Sequence, residues 1–186
     1  FRNGCVYRPQ DLINALRHKF RESRVVLLAG ERATGKTVLA RCLAHAWGGD
    51  DFDDSYYLDC RLDPDFDVHG LAQFARQSEA FFLLENMHLR PEKLQILWGE
   101  LRECDLDGYV LIVARQPIQQ LSYLPSLADL STFTAPPFAY ADEIIRLYAT
   151  RCERPELFSS PDLQRTIKSV AESDYWLLRY DLDGCT

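Results

Sequence analysis

Apolar residues fall into two rhythms along this chain. Short unbroken apolar runs recur at 24–29 (RVVLLA), 80–84 (AFFLL) and 109–114 (YVLIVA). Runs of that length read as strands buried on both faces of a parallel sheet. Residues 55–60 (SYYLDC) read as another strand, and 131–134 as a short fifth before Pro136-Pro137. Between the runs, apolar positions recur at helical spacing. Leu12, Leu16 and Phe20 predict a helix over 9–20, with Pro9 suited to its first turn. Further helices are predicted over 36–47, 67–78 and 91–104, the last with Leu94, Leu97, Trp98 and Leu101 on one face. Strand and helix alternate, so the expected fold is α/β: a five-stranded, mostly parallel sheet with helices on both faces and right-handed crossovers. After Pro137 the strands stop. Helices are expected over 140–152 and 161–172, with Ser160 as a cap, Pro161 in the first turn and Asp162 near the positive helix end. The pattern divides the chain into an α/β domain, 1–137, and a small helical region, 138–186.

Composition narrows the class. The 186 residues are long enough for one α/β domain with a real core. They are 47% hydrophobic and 26% charged, which suits a globular rather than a disordered chain. No apolar run approaches the roughly 20 residues of a membrane span, and no signal peptide opens the sequence. The net charge of -7 argues against nucleic acid as the main partner. The six cysteines are scattered, with no C-x-x-C pair. They read as reduced thiols of a cytoplasmic protein rather than a zinc site or disulfide frame. Trp47, Trp98 and Trp176 lie on apolar helical faces and are expected in the core. The abrupt termini lead us to expect a piece of a longer protein.

The chemistry centres on Gly30-Glu31-Arg32-Ala33-Thr34-Gly35-Lys36-Thr37, which matches G-x-x-x-x-G-K-[ST] in full. Glycines allow the tight turn that aims backbone N–H groups at phosphate oxygens. Lys36 is placed to reach the β- and γ-phosphates, and the Thr37 hydroxyl to ligate Mg²⁺. The helix that follows turns its positive end to the same anion. The motif lies between an apolar strand and a helical pattern, the context it needs. Gly30, Ala33, Thr34, Gly35, Lys36, Thr37 and Val38 are therefore candidate nucleotide contacts.

Two strand ends add candidates. Glu85 closes an apolar strand, where P-loop NTPases hold Mg²⁺ through an acid. The next residue, where ATPases with an additional strand often carry a second acid, is Asn86. An amide orients a water but cannot take its proton, so slow hydrolysis and binding without turnover both stay open. His88 reads either as a substitute base or as a surface residue. Arg115 follows the 109–114 strand, where a guanidinium can sense a γ-phosphate or simply face solvent. The absence of a guanine-type Asn-Lys-x-Asp motif favours ATP.

Taken in order, these segments resemble the STAND-class signalling ATPases, relatives of the AAA+ group, and within them the novel STAND branch. Cys5-Val6-Tyr7-Arg8 with Asp11-Leu12 and Leu16 resembles their F-V-G-R-E-x-E-L segment, Tyr7 standing where the family has Gly. Val6, Tyr7 and Arg8 are then implied adenine contacts. The 110–115 strand resembles the family's sensor strand. Residues 133–145, with Pro136, Pro137 and Glu143, resemble the link into a helical lid. The lid's usual Gly-x-Pro contact is replaced by Glu172-Ser173-Asp174. The resemblance implies an ATP/ADP- and Mg²⁺-dependent switch module with weak or partner-dependent ATPase activity. Lys36, Glu85 and Arg115 would be its catalytic residues, and Thr37 and Glu85 its metal ligands. It also implies self-association through the full-length protein and effector and sensor domains in the same chain. A non-hydrolysing nucleotide-binding module and an AAA+-type mechanical ATPase acting on DNA or protein remain as alternatives.

Overall fold

The computed structural model of the chain describes residues 8–32, 34–47, 55–115, 127–136, 140–151, 153 and 159–170. These form two compact units by their internal contacts.

The larger unit, 10–31 with 36–135, holds the sheet. Its strands are β1 (Val25–Ala29), β2 (Ser55–Asp59), β3 (Phe81–Glu85), β4 (Tyr109–Val113) and β5 (Thr132–Thr134). Their spatial order is β2-β3-β4-β1-β5. All four pairings are parallel, so the sheet is more uniform than the expected mostly parallel one. The three central strands are the unbroken apolar runs, and β1 and β3 are buried at every position. The edge strands β2 and β5 are partly exposed, which is why their sequences read less clearly.

Four helices clothe this sheet: α1 (Gln10–Glu22), α2 (Lys36–Trp47), α3 (Val68–Arg76) and α4 (Pro91–Leu101). Alternation along a strand sends successive side chains to opposite faces. Val25, Leu27, Phe82, Leu84, Val110 and Ile112 therefore share one face, where they pack with Val68 and Ala72 of α3 and Leu94, Leu97 and Leu101 of α4. Phe81 points to the other face and meets Phe20 of α1 and Trp47 of α2. Trp47 also lies against Tyr109, but is only partly buried; Trp98 is in the core as expected. Several helix ends differ from the periodic reading; α1 runs on to Glu22, and α3 stops at Arg76. Asp67 caps α3 by accepting from the His69 N–H, so the helix begins one residue later. The α4 helix stops at Leu101 rather than 104, and its last apolar position is spent there.

The smaller unit comprises 1–9, 32–35 and 136–186, in so far as these are described. It contains α5 (Ala141–Arg151) and α6 (Pro161–Val170). Ser160 caps α6 by accepting from the Leu163 N–H at 3.3 Å, as the sequence predicts. Lys168 of α6 pairs with Asp142 of α5, and Ile145, Ala149 and Ile167 are buried. Among the described residues, no helix is long and apolar enough to cross a membrane. Trp176 and the segment 172–174 lie outside the described residues.

Gly108, at the start of β4, marks a close backbone approach. A Cβ there would stand 2.4 Å from the Ala80 carbonyl oxygen and 2.6 Å from that of Ser78. The Ala80 oxygen accepts from the Tyr109 N–H at 3.0 Å, so it cannot move without disturbing the pairing of β3 with β4. Gly108→Ala is expected to destabilise the protein by about 1–3 kcal/mol, the usual range for overpacking, measured by urea unfolding.

Candidate functional site

Parallel strands in an open α/β sheet deliver their carboxyl ends to one edge, and ligands bind there. Gly30 follows β1, Glu85 ends β3 and Arg115 follows β4, so three sequence candidates share that edge. Strand β4 lies between the other two and sets their separation.

The phosphate-loop candidates sit where β1 gives way to α2. Gly30 has φ 155° and Gly35 φ 79°, values that exclude ordinary L-residues. Lys36 opens α2 and is only 8% exposed. Its Nζ donates to the Glu31 carbonyl oxygen. Burial, with the nearby Arg115 charge, lowers its pKa from 10.5 to about 8, while the Glu31 charge acts the other way. Burying an ammonium near another cation disfavours its charged form, and an added anion favours it. Thr34 is buried. Thr37 and Val38 are exposed on the first turn of α2, and Arg8 is exposed before α1. Val6, Tyr7 and Ala33 lie outside the described residues.

Glu85 shows what the sequence could not. It is inside β3 rather than beyond it, paired in register with Asp59. Its own carbonyl accepts from the Cys60 N–H at 3.1 Å. The side chain is 1% exposed, not a solvated acid at a strand end. By alternation it lies on the same face as Phe81, which is the face α2 covers. There Oε2 accepts from the Tyr57 hydroxyl at 2.8 Å and lies 3.6 Å from the Arg41 guanidinium. Oε1 is buried with no hydrogen-bond partner among the described residues. Thr37 and Arg41 are four residues apart on α2 and so share a helix face. A buried, half-satisfied carboxylate opposite a helix face that carries a hydroxyl fits a hard cation. Among the described residues no cluster of three metal-ligating side chains exists, so such a cation would take most of its oxygens from nucleotide and water.

Asn86 adopts the left-handed conformation, φ 60° and ψ 27°. Asparagine tolerates that region better than most residues, glutamate less well. Its Nδ2 donates to Asp59 Oδ1 at 2.8 Å, and only the amide nitrogen can face an ionised acid. The water-orienting role open to this amide in the sequence is thus limited to its other end. Asp59 itself is buried and clamped by Arg61, at 2.7 Å from NH2 to Oδ2. The Arg61 hydrogen bonds hold its carboxyl down at about 2, with Asn86 contributing, while burial works in the other direction.

His88 lies in a one-turn helix, Met87–Leu89, not in an open loop. Its Nδ1 accepts from the Arg115 backbone N–H at 3.2 Å. The ring proton is therefore on Nε2, which can donate but cannot take a proton. In this arrangement the Arg115 N–H occupies the nitrogen that a base role would use. Burial, then the charges of Arg115 and Lys36, push its pKa below the usual value and favour its neutral form. The Lys36, Arg115 and His88 side chains thus lie within electrostatic reach of one another.

Sequence reasoning missed Arg41, Tyr57, Asp59 and Arg61. Asp59 was visible in principle, since it ends an apolar-leaning strand as Glu85 does. Arg41 was visible as the residue one helical turn after Thr37. Tyr57 carries no local signal, because only the β2–β3 register places it.

Comparison with known proteins agrees with this architecture. No protein-family model matches the chain, and no curated protein matches it by sequence. Solved structures do match. One point mutant of Thermotoga maritima RuvB aligns at TM-score 0.62 and 14% identity, over 94% of this chain and 61% of that one. A second point mutant of the same protein aligns equally well, at TM-score 0.62. A Walker-type ATPase of Pyrococcus abyssi aligns at TM-score 0.67 and 11% identity, over 93% of this chain and 66% of its own. The chain thus spans about three-fifths of the RuvB structures it matches.

Asn86 offers a direct test of the local geometry. Asn86→Ala loses both the tolerance for positive φ and the bond to Asp59, whereas Asn86→Gly loses only the bond. The alanine variant is expected to be the less stable of the two by about 1 kcal/mol, read from paired denaturant curves. With its parallel sheet, its flanking helices and a glycine-rich turn at the end of β1, the chain has the P-loop NTPase fold.

Proposed function

We propose that this chain binds ATP or ADP with Mg²⁺ and serves as the nucleotide switch of a larger signalling protein. The observation that carries the reading is Lys36: a buried ammonium, in a full phosphate-loop motif, with Arg115 and His88 beside it. Concentrated positive potential with oriented N–H donors is the environment a polyphosphate stabilises.

In this reading, backbone amides of Gly30, Ala33, Thr34 and Gly35 cradle the phosphates, and Lys36 binds the terminal ones. Val38 and the segment Val6-Tyr7-Arg8 contact the nucleoside. Thr37 and Glu85 hold Mg²⁺, which neutralises phosphate charge when bound. Arg115 senses the γ-phosphate, and His88 donates to the same region through Nε2. Residues 1–137 form the nucleotide-binding domain and 138–186 begin a helical lid. A γ-phosphate that binds one conformation better than another shifts the population between resting and assembling forms. The signalling role and self-association rest on the STAND resemblance. Turnover is expected to be slow, since Asn86 cannot take a proton, and an arginine from a partner can raise it.

A second reading is a nucleotide-binding module without turnover. The Asn86 amide favours it, being held by Asp59 where a second acid would otherwise stand.

The test is calorimetric titration with ATP and ADP near pH 8.5, in two buffers of different protonation heat, with phosphate release followed on the same sample. Without ligand, Lys36 is largely neutral above pH 8; an anion favours its charged form. Nucleotide binding is expected to take up about three-quarters of a proton there, and almost none near pH 6.5. Lys36→Ala should lose both the binding and the uptake. An unchanged ATP affinity in that variant would sink the phosphate-loop assignment. Release of phosphate supports the switch, and tight binding without release supports the second reading.

A further inference from the structure

Glu85 is one of three acceptors and donors tied together beneath α2. Tyr57 Oη donates to Oε2 at 2.8 Å. Arg41 NH2 donates to the same Tyr57 oxygen at 3.0 Å and lies 3.6 Å from Oε2. The guanidinium also lies over the Tyr57 ring, 5.3 Å from its centre. The hydroxyl has a second acid, Asp59 Oδ2, at 3.5 Å. Both contacts to Glu85 therefore converge on one carboxylate oxygen, and the other, Oε1, is left buried with no partner among the described residues.

That asymmetry has a chemical meaning. A buried carboxylate oxygen without a hydrogen bond is costly, and a fold that wanted only a satisfied acid would share its two donors between the two oxygens. Here the hydrogen bond and the ion pair both fall on one oxygen, and its twin is left without a partner among the described residues. The two donors also differ in kind. A phenol hydroxyl is neutral and directional, and fixes where the carboxylate points. A guanidinium is a cation and competes with any other cation for the same acid. Tyr57 and Arg41 are 48% and 44% exposed, so neither is a core residue that Glu85 merely happens to meet.

We propose that Tyr57 and Arg41 set the cation response of Glu85: Tyr57 is a positioning residue that pins Oε2 and presents Oε1 to Mg²⁺, and Arg41 is an internal rival cation for the same carboxylate. The proposal rests on the reading of Glu85 as the metal-binding acid. It predicts effects of opposite sign from two neighbouring residues in one network, which a merely structural role does not.

The experiment titrates Mg²⁺ against the affinity for a fluorescent ATP analogue, in the wild type and in Tyr57→Phe, Arg41→Met and Arg41→Lys. In Tyr57→Phe the Mg²⁺ concentration for half the effect should rise about tenfold, as expected for losing one hydrogen bond to a charged group. In Arg41→Met it should fall by about threefold, the scale of a half-exposed ion pair. Arg41→Lys keeps the charge and should stay near the wild type. Affinity in EDTA should be the same in all four. Shifts of the same sign in Tyr57→Phe and Arg41→Met, or no shift in either, would overturn the clamp while leaving the metal assignment standing. A wild type whose affinity ignores Mg²⁺ would remove Glu85 from the metal site and the clamp with it, leaving the Lys36 assignment untouched.

Discussion

Backbone hydrogen bonds between β3, β4 and β1 run parallel, and β4 fills the gap between the other two. Parallel pairing requires every strand to point the same way, so each crossover must return over a face of the sheet. That constraint covers both faces with helices and makes the central strands almost wholly apolar. It also places the ends of all the central strands on one edge. Gly30, Glu85 and Arg115 meet there because the ladder leaves them no other exit.

The edge carries charges of both signs, basic past the ends of β1 and β4 and acidic at the ends of β2 and β3. On one side stands Lys36, buried and destabilised as a cation, near Arg115 and His88. On the other stand Glu85 and Asp59, buried and paired in register. Desolvation acts on both groups, but with different outcomes. Asp59 is stabilised in its ionised form by Arg61 and by the Asn86 amide. Lys36 donates to a carbonyl, and its charged form stays disfavoured by burial and by Arg115. Part of the site is therefore complete within the fold, and part gains most from a ligand that brings negative charge.

The region after Glu85 shows how a backbone requirement selects chemistry. The chain must leave β3 and enter a one-turn helix within one residue. Asn86 does so in the left-handed region. Asparagine suits that turn, but its amide cannot take a proton. The same turn brings His88 back to the end of β4, where the Arg115 backbone fixes its tautomer. Backbone geometry here settles which side chains can donate and which can accept.

Much of this was legible in the chain itself. Unbroken apolar runs located every central strand, because a strand buried on two faces tolerates little else. The phosphate loop was legible because its glycines, lysine and threonine are contiguous, and Gly30 and Gly35 adopt the positive φ that their identity allows. Glu85 was legible as an acid closing an apolar run, and Ser160 as a cap, since each depends on neighbours within a few residues. Only the tertiary structure decided the rest. That β4 separates β1 from β3, that Asp59 stands beside Glu85, and that Tyr57 and Arg41 grip one oxygen of that acid all depend on pairings between distant segments. Local periodicity says which face of an element is apolar, but not which other element will cover it. Strand order and register are settled by burying all those faces at once, so the partners of Glu85, Asn86 and His88 exist only in the folded chain.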